Sequence, residues 1–440
     1  MAAWRTGMLL ALLLPTASFG QTYNLSEMPK PGECYRIDID TGLTGSMKVA
    51  QDGKVNSIKI AAKNAHVVLE KVLAADKGVV RKSARYYEKA VCAAEIGDEK
   101  MQRVLRDDRK LFVAQRLADH LFCYSPVGPL TRSELEVASE HFDTLHLTGL
   151  LPGKEVAIED SWKIPNATAM ALCLFEGLIS HDLTGKLKEV KDGNAVIAIE
   201  GKASGIEVGA SVTLEVSATL RFDILSSRIV SLEWRQKDVR DQGPASPASE
   251  IESTTKLTRK VLVDEPKELS KAAIAGVPAE DEPQDLLKLL AHKDAKDRYT
   301  FLYARDWHIV GQTENHVVVR LIDRGDFIAQ ATITAWKKME PGKHTEAAEF
   351  KKLVSDSPGW EMEEIAEAGE VPTDEGRWLY RVTAKGDLDG TKVVQNFILL
   401  AGKDGDQVVV TFTMKPANAS KIGTRDVALV NAIEFLEKKK

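Results

Sequence analysis

The sequence predicts an α+β protein in two units: a curved antiparallel β-sheet domain, half-barrel-like with a few helices, then an αβ sandwich. Three observations predict it. Apolar and polar residues alternate with period two through most of residues 34–125 and 184–240, the signature of half-buried antiparallel strands. Helical patterns are few and short. An acidic, Pro-containing break at 264–297 then separates this region from a second run, whose strands are punctuated by two well-separated helices.

Residues 1–20 read as an export signal. Arg5 precedes the apolar run Met8–Leu14, Pro15 breaks it, and Ser18, Phe19 and Gly20 place small residues before an expected cleavage between Gly20 and Gln21. The run is far shorter than the roughly 18 apolar residues a membrane anchor needs. The expected location is therefore periplasmic or secreted, with no transmembrane segment after cleavage. About 420 residues would remain, enough for two or three domains.

In the first domain, residues 21–263, Tyr35, Ile37 and Ile39 alternate with Arg36, Asp38 and Asp40 as a strand. Ser46–Gln51 and Val55–Val72 follow around Asp52-Gly53, a dipeptide suited to the positive φ of a hairpin turn. Tyr86–Ile96, Gln102–Leu105, Leu111–Arg116 and Leu121–Tyr124 extend the meander. Thr131 and Glu134 form a capping box that opens a helix to about Phe142. A second helix is expected over Ala167–Leu178, after Pro165-Asn166. Gly185–Gly193 repeats the hairpin chemistry of Gly45–Gly53, and Ala195–Glu200, Ser211–Ile224 and Ile229–Arg240 complete a second meander. Ser211–Ile224 alternates over an unusual length, and so long a strand with few helices to cover it predicts a sheet that curls around a ligand-holding concavity.

Residues 264–297 read as a linker with a short helix at Leu286–Leu290. In the second domain, 298–440, strands are expected at Tyr299–Tyr303, Val317–Leu321, Phe327–Ala335, Met362–Ala366, Trp378–Thr383, Val393–Leu400 and Val408–Met414. Helices are expected at about Thr345–Val354 and at Thr424–Leu436, the latter with Val427, Val430, Ile433 and Leu436 on one face.

Composition narrows function by exclusion. The formal net charge is -6, which argues against a nucleic-acid partner. Lys438, Lys439 and Lys440 read as a solvated helix end opposing the helix dipole. Cys34, Cys92, Cys123 and Cys173 contain no CxxC spacing; in an exported chain they permit two disulfides in any of three pairings, while Cys173 also suits a buried thiol.

The strand Tyr299–Tyr303, the Asp306-Trp307 turn, the helix after the third strand, and Val408–Phe412 leading to Ile433–Phe435 resemble the exported PsbP/DcrB-like domain family. That resemblance covers about 140 residues and implies an assembly or envelope factor without catalytic residues. The first domain resembles the LolA-like lipoprotein-carrier architecture, in which a long curved sheet wraps helices and an apolar cavity. Gly149–Val156 through Asp160–Trp162 is similar to a phrase found in uncharacterised exported bacterial proteins.

The densest polar cluster is Glu140, His141 and Asp143, around Phe142 and near His146. Histidine beside carboxylate can bind zinc or relay a proton, but His141 and His146 are five apart rather than four, so a helix end is expected instead. Trp307, between Asp306 and His308, is expected as a core plug. Trp162 and Trp234 are expected on sheet faces with a backbone acceptor for the indole. Ser125 and Ser246 precede prolines without a GxSxG setting. Gly201–Gly209 reads as a hairpin loop, and Asn24, Asn166 and Asn418 are sequon matches. No catalytic, cofactor-binding or metal residue is assigned.

The expected function is thus an exported, non-enzymatic protein whose first domain holds an apolar ligand (a hydrophobic small molecule, lipid or lipoprotein) or an extended partner, and whose second domain docks to an envelope protein. One alternative is an extracytoplasmic hydrolase assembled from Glu140, His141 or Asp143 with His66 or His181. The other is a structural interaction module of an envelope assembly.

Overall fold

A computed structural model describes residues 21–51, 54–117, 120–139, 143–277, 282–357, 359–373 and 376–436. The chain is mostly antiparallel β-sheet with few helices. Its first half holds β1 (Thr22–Asn24), β2 (Cys34–Gln51), β3 (Lys54–Asp76), β4 (Val79–Ile96), β5 (Glu99–Val104), β6 (Leu111–Leu117) and β7 (His120–Tyr124). There follow β8 (Leu130–Thr131), α1 (Arg132–Ser139), a tight helical turn Thr144–Leu150, β9 (Glu155–Ala157), β10 (Ser161–Lys163) and α2 (Asn166–Leu172). The second meander is β11 (Gly177–His181), β12 (Thr184–Lys191), β13 (Asn194–Glu207), β14 (Ala210–Asp223), β15 (Arg228–Arg240) and β16 (Ala248–Leu262).

The two meanders form one sheet. Its strand order is β10-β12-β13-β14-β15-β16-β2-β3-β4-β6-β7, with β11 on the far end of β13 and β5 on the far end of β4. The join is β16 against β2, paired without a break from Ala248↔Lys48 to Leu262↔Cys34. Gly45 lies within it: a Cβ there would stand 2.1 Å from the Glu250 carbonyl oxygen, so only glycine allows the two backbones to approach this closely. One face of the sheet is apolar at every second residue and packs on α1, the 144–150 turn and α2. Ile37, Ile39, Leu220, Leu232 and Leu257 are buried there with Val137, Leu145 and Leu172.

Several sequence expectations are met in the geometry. The Thr131 amide donates to Glu134 (2.8 Å) and the Glu134 amide to Thr131 Oγ1 (3.2 Å), closing the capping box of α1. Asp192 and Gly193 take positive φ at the β12–β13 turn. The matching Asp52-Gly53 pair, with Glu140, His141, Phe142 and Lys438–Lys440, lies outside the described residues. No disulfide joins Cys34, Cys92, Cys123 and Cys173. Three sit on different strands opposite other residues: Cys34 pairs Lys71, Cys92 pairs Asn64, and Cys123 pairs Ala114; Cys173 lies at the C-terminus of α2.

The second half begins with α3 (Asp285–Lys288), β17 (Leu290–Lys293), β18 (Tyr299–Tyr303), β19 (Trp307–Gln312), β20 (His316–Asp323), β21 (Asp326–Ala335) and α4 (Ala347–Ser355). It ends with β22 (Trp360–Glu370), β23 (Arg377–Leu388), β24 (Thr391–Gly402), β25 (Gln407–Met414), α5 (Arg425–Asn431) and β26 (Ile433–Phe435). A seven-stranded antiparallel sheet, β19-β20-β21-β25-β24-β23-β22, carries α4 on one face through Phe350 and Val354. Its other face adds Val319, Ile333, Ile398 and Phe412 to the main core.

Two helices are shorter than expected. α2 stops at Leu172 because Leu174 takes φ 58, and Gly177–His181 pairs with β13 instead. The closing helix stops at Asn431: Ile433–Phe435 pairs with β18, an available sheet neighbour that outweighs helical periodicity for an Ile and a Phe. The connecting stretch also packs. Leu269 and Ile274 are buried against Leu69 and Ala84, and β17 lies between β18 and the parallel β8. Arg305 joins the two halves, donating to the Cys123 carbonyl (2.8 Å) with its guanidinium 3.8 Å from the Phe122 ring centroid.

The segment after residue 21 is fastened by a buried charge. Glu27, whose side chain is fully buried, accepts from Arg259 Nη1 (2.5 Å) and from the Ile229 amide (2.8 Å). Glu27→Ala leaves that guanidinium buried without its anion, and urea unfolding should show a loss of about 3–5 kcal/mol. Lys392→Ala, at the exposed Lys392–Glu363 pair, should leave the urea midpoint essentially unchanged.

Candidate functional site

A cavity of about 1350 Å³ lies against the large sheet. Its lining comes in three-residue runs from eight neighbouring strands: Glu200–Lys202, Glu215–Ser217, Arg235–Lys237, Glu252–Thr254, Gly42–Thr44, Ala61–Lys63, Ala93–Glu95 and Lys100–Gln102, with Asp182 beside the first. The register makes these runs three straight rows across the strands. The central row, from Gly201 through Val216 and Gln236 to Leu43, Ala62 and Met101, shares its face with Ile39 and Leu257; Val216 is buried in the core, while Gln236, Leu43, Ala62 and Met101 are only half-buried and line the cavity. The two outer rows project from the opposite, polar face. The cavity takes its lining from the central and outer rows alike and reaches as a trough from the edge near Asp182 to β5.

One of these rows is a ladder of charges: Lys202↔Glu215↔Lys237↔Glu252↔Thr44↔Ala61↔Glu95↔Lys100. Opposite charges face each other across neighbouring strands, the arrangement that stabilises a sheet pair. Lys237–Glu252 (3.8 Å) and Lys100–Glu95 (3.0 Å) are within ion-pair reach. The other row is Glu200↔Ser217↔Arg235↔Thr254↔Gly42↔Lys63↔Ala93↔Gln102. Five cations (Lys63, Lys100, Lys202, Arg235, Lys237) are balanced by five anions (Glu95, Asp182, Glu200, Glu215, Glu252). Gly42, Ala61 and Ala93 keep the floor low between them, and no apolar side chain larger than alanine projects from the two outer rows.

The expected concavity along the long alternating strands corresponds to this cavity, which Glu215, Val216 and Ser217 of β14 help to line. A second, small cavity of about 20 Å³ lies among His66, Arg85, Tyr87 and Thr144. Alternation in Ser211–Ile224 was legible; that Glu215 and Ser217 share rows with Thr44 and Gly42 depended on register between segments far apart in sequence, which periodicity does not encode.

The expected polar cluster does not converge on one pocket among the described residues. Asp143 is buried, accepts from Arg116 Nη1 (2.8 Å) and caps the 144–150 turn through the Leu145 amide (2.9 Å). His146 is buried with neither ring nitrogen hydrogen-bonded, and desolvation, reinforced by Arg116 and Arg81, pulls its pKa down to about 4. His66 Nε2 lies 2.7 Å from the Val137 carbonyl, and burial lowers its pKa. His181 Nε2 meets Asn166 Oδ1 (3.0 Å) on the surface. Among the described residues no group of three His, Cys, Asp or Glu could hold a metal.

Trp307 is buried edge-on against Phe412 at 6.0 Å, as a core plug. Trp162 donates to the Leu150 carbonyl (3.0 Å); Trp234 donates instead to Gln236 Oε1 (2.8 Å), whose amide donates to Asp238 Oδ2 (3.0 Å). Burial pushes the Asp238 carboxyl up to about 6. Gly201–Gly209 is mostly strand β13, with its turn at Val208-Gly209. Ser125 is buried and its Oγ accepts from the Val127 amide.

No family model matches the chain, and no curated protein matches it. Among solved structures, cyanobacterial PsbP (CyanoP) from Synechocystis is 15% identical, with 36% of this chain and 99% of that one covered and a TM-score of 0.26. The Ran-binding protein Mog1p of Saccharomyces cerevisiae is 11% identical, covering 33% and 94%, TM-score 0.26. Lipovitellin is 10% identical, covering 54% of this chain and 26% of its own, TM-score 0.30. Likenesses of this size fix neither fold nor function.

The two perturbed groups act oppositely on stability. His146, ordinarily near 6.5, stays neutral in the fold down to about 4, so its contribution is complete above pH 6.5 and is lost as pH falls toward 4. Asp238, raised to about 6, contributes most below its ordinary carboxylate pKa, and that contribution is lost as pH rises through 6. Denaturant titrations between pH 4 and 7 should show His146→Gln flattening the acid-side loss and Asp238→Asn steepening it.

Proposed function

We propose that this chain is an extracytoplasmic, non-enzymatic binding protein whose polar trough takes an extended segment of a partner polypeptide bearing both charges. The observation that carries this reading is the balanced, ladder-ordered charge of the trough. Its volume lies above the roughly 300–1,000 Å³ of ordinary small-molecule sites. Eight strands at about 4.8 Å spacing give a path of about 34 Å, the length of about ten residues of extended chain. Equal cations and anions disfavour a nucleic acid, which needs a basic excess. A polypeptide of mixed charge satisfies both signs at once.

On this reading the large sheet corresponds to the LolA-like half-barrel unit, residues 21–263, carrying a partner segment rather than an acyl chain. The C-terminal sheet, 298–440, corresponds to the PsbP/DcrB-like unit that docks to an envelope protein. The location is periplasmic or secreted; no helix among the described residues is long and apolar enough to cross a membrane. The hydrolase alternative has less support, because Asp143, His66 and His181 are each engaged in separate structural contacts.

The test uses a fluorescent ten-residue peptide of alternating Glu and Lys, titrated into the full chain by anisotropy. Saturable binding is expected, weakened by salt and weakened at least about tenfold by the double reversal Lys202→Glu with Lys237→Glu, a cost of about 1.4 kcal/mol. Uptake of a hydrophobic dye or lipid by delipidated protein, with no peptide binding, would establish the apolar-ligand reading instead.

A further inference from the structure

We propose that Gln21 is a modification site: once residues 1–20 are removed, its α-amine closes onto its own side-chain amide and leaves a pyroglutamyl N-terminus. The proposal rests on the export reading, because it needs cleavage between Gly20 and Gln21. The structure supplies the rest of the argument. The chain is fixed from the next residue onward: Thr22, Tyr23 and Asn24 pair with Ala157, Val156 and Glu155, and Thr22 Oγ1 donates to Glu155 (3.2 Å). The Leu25 amide donates to the Lys154 carbonyl (3.2 Å), Leu25 is fully buried, and Glu27 is locked by Arg259. Gln21 alone stands outside this strap. It is exposed, and among the described residues it makes no pairing, hydrogen bond or ion pair.

Both reacting groups are therefore in water and free to rotate, while the backbone beyond them is held. The neutral amine, available because an α-amino group has a pKa of about 7.7–8.0, attacks the side-chain carbonyl carbon. A C–N bond forms within a five-membered ring, the C–N bond to the side-chain nitrogen breaks, and ammonia leaves with a proton taken from the amine. Nothing is oxidised or reduced and no co-reactant is consumed. The ring removes the terminal positive charge and leaves the β1–β9 pairing untouched. A chain end without an amine offers nothing to peptidases that recognise one.

The test is mass analysis of the N-terminal peptide from full-length protein exported by a host that cleaves such signals. The expected peptide begins at residue 21, is lighter than the glutaminyl form by one ammonia, and does not react with an amine-specific label. A peptide beginning at residue 21 that keeps its amine after prolonged incubation overturns ring closure and leaves the export reading standing. A peptide beginning at Met1 or elsewhere overturns the cleavage reading and the proposal together. Gln21→Ala should start at the same position and react fully with the label; if it too is blocked, the block is not this ring.

Discussion

The pairing of β16 with β2 holds the rest of the molecule in place. It is the only junction through which the two meanders, some 200 residues apart in sequence, share backbone hydrogen bonds among the described residues. Because it runs unbroken along β16, it also sets the level of each strand on one side against those on the other. The charged row from Lys202 to Lys100 is straight only because Glu252 meets Thr44. A shift by one residue would turn one meander's charges into the core and expose its leucines. Gly45 is what lets the two backbones come this close.

The two faces of the sheet then divide the work. The core face is packed by short helices and by the second half of the chain, and its buried charges are paired: Glu27 with Arg259, Glu70 with Arg85, Asp143 with Arg116. Such pairs add specificity of arrangement more than net stability. The polar face keeps its charges in water, where they are free to meet another chain. Under the proposed function, binding through these exposed charges would be rapid and salt-sensitive.

Much of the fold was legible in the sequence because its determinants are local. The Thr131–Glu134 capping box, the Asp192-Gly193 turn and the faultless alternation of β14 each act within a few residues. The misses share a cause in tertiary context. Ile433–Phe435 has helical spacing but lies beside the open edge of β18. Leu174 ends α2 through a backbone conformation its neighbours do not announce. The alignment of the charged rows depends on the same context: Glu215, Lys237, Glu252 and Lys63 look like an ordinary solvated face until register aligns them. Asp143 and His146 are close in sequence, but the fold pairs Asp143 with Arg116 and buries His146 with neither ring nitrogen hydrogen-bonded.

The most direct test of this account is cross-strand disulfide formation at the junction. Facing antiparallel residues lie about 4.5–5.5 Å apart at Cα, within the range a disulfide spans. The pair Thr44→Cys with Glu252→Cys should oxidise readily, identified by peptide mapping, with the fold and peptide binding retained. The pair Leu43→Cys with Glu252→Cys, whose side chains leave opposite faces, should not. Failure of the first pair to bridge, or equal bridging of both, would contradict the register on which the trough depends.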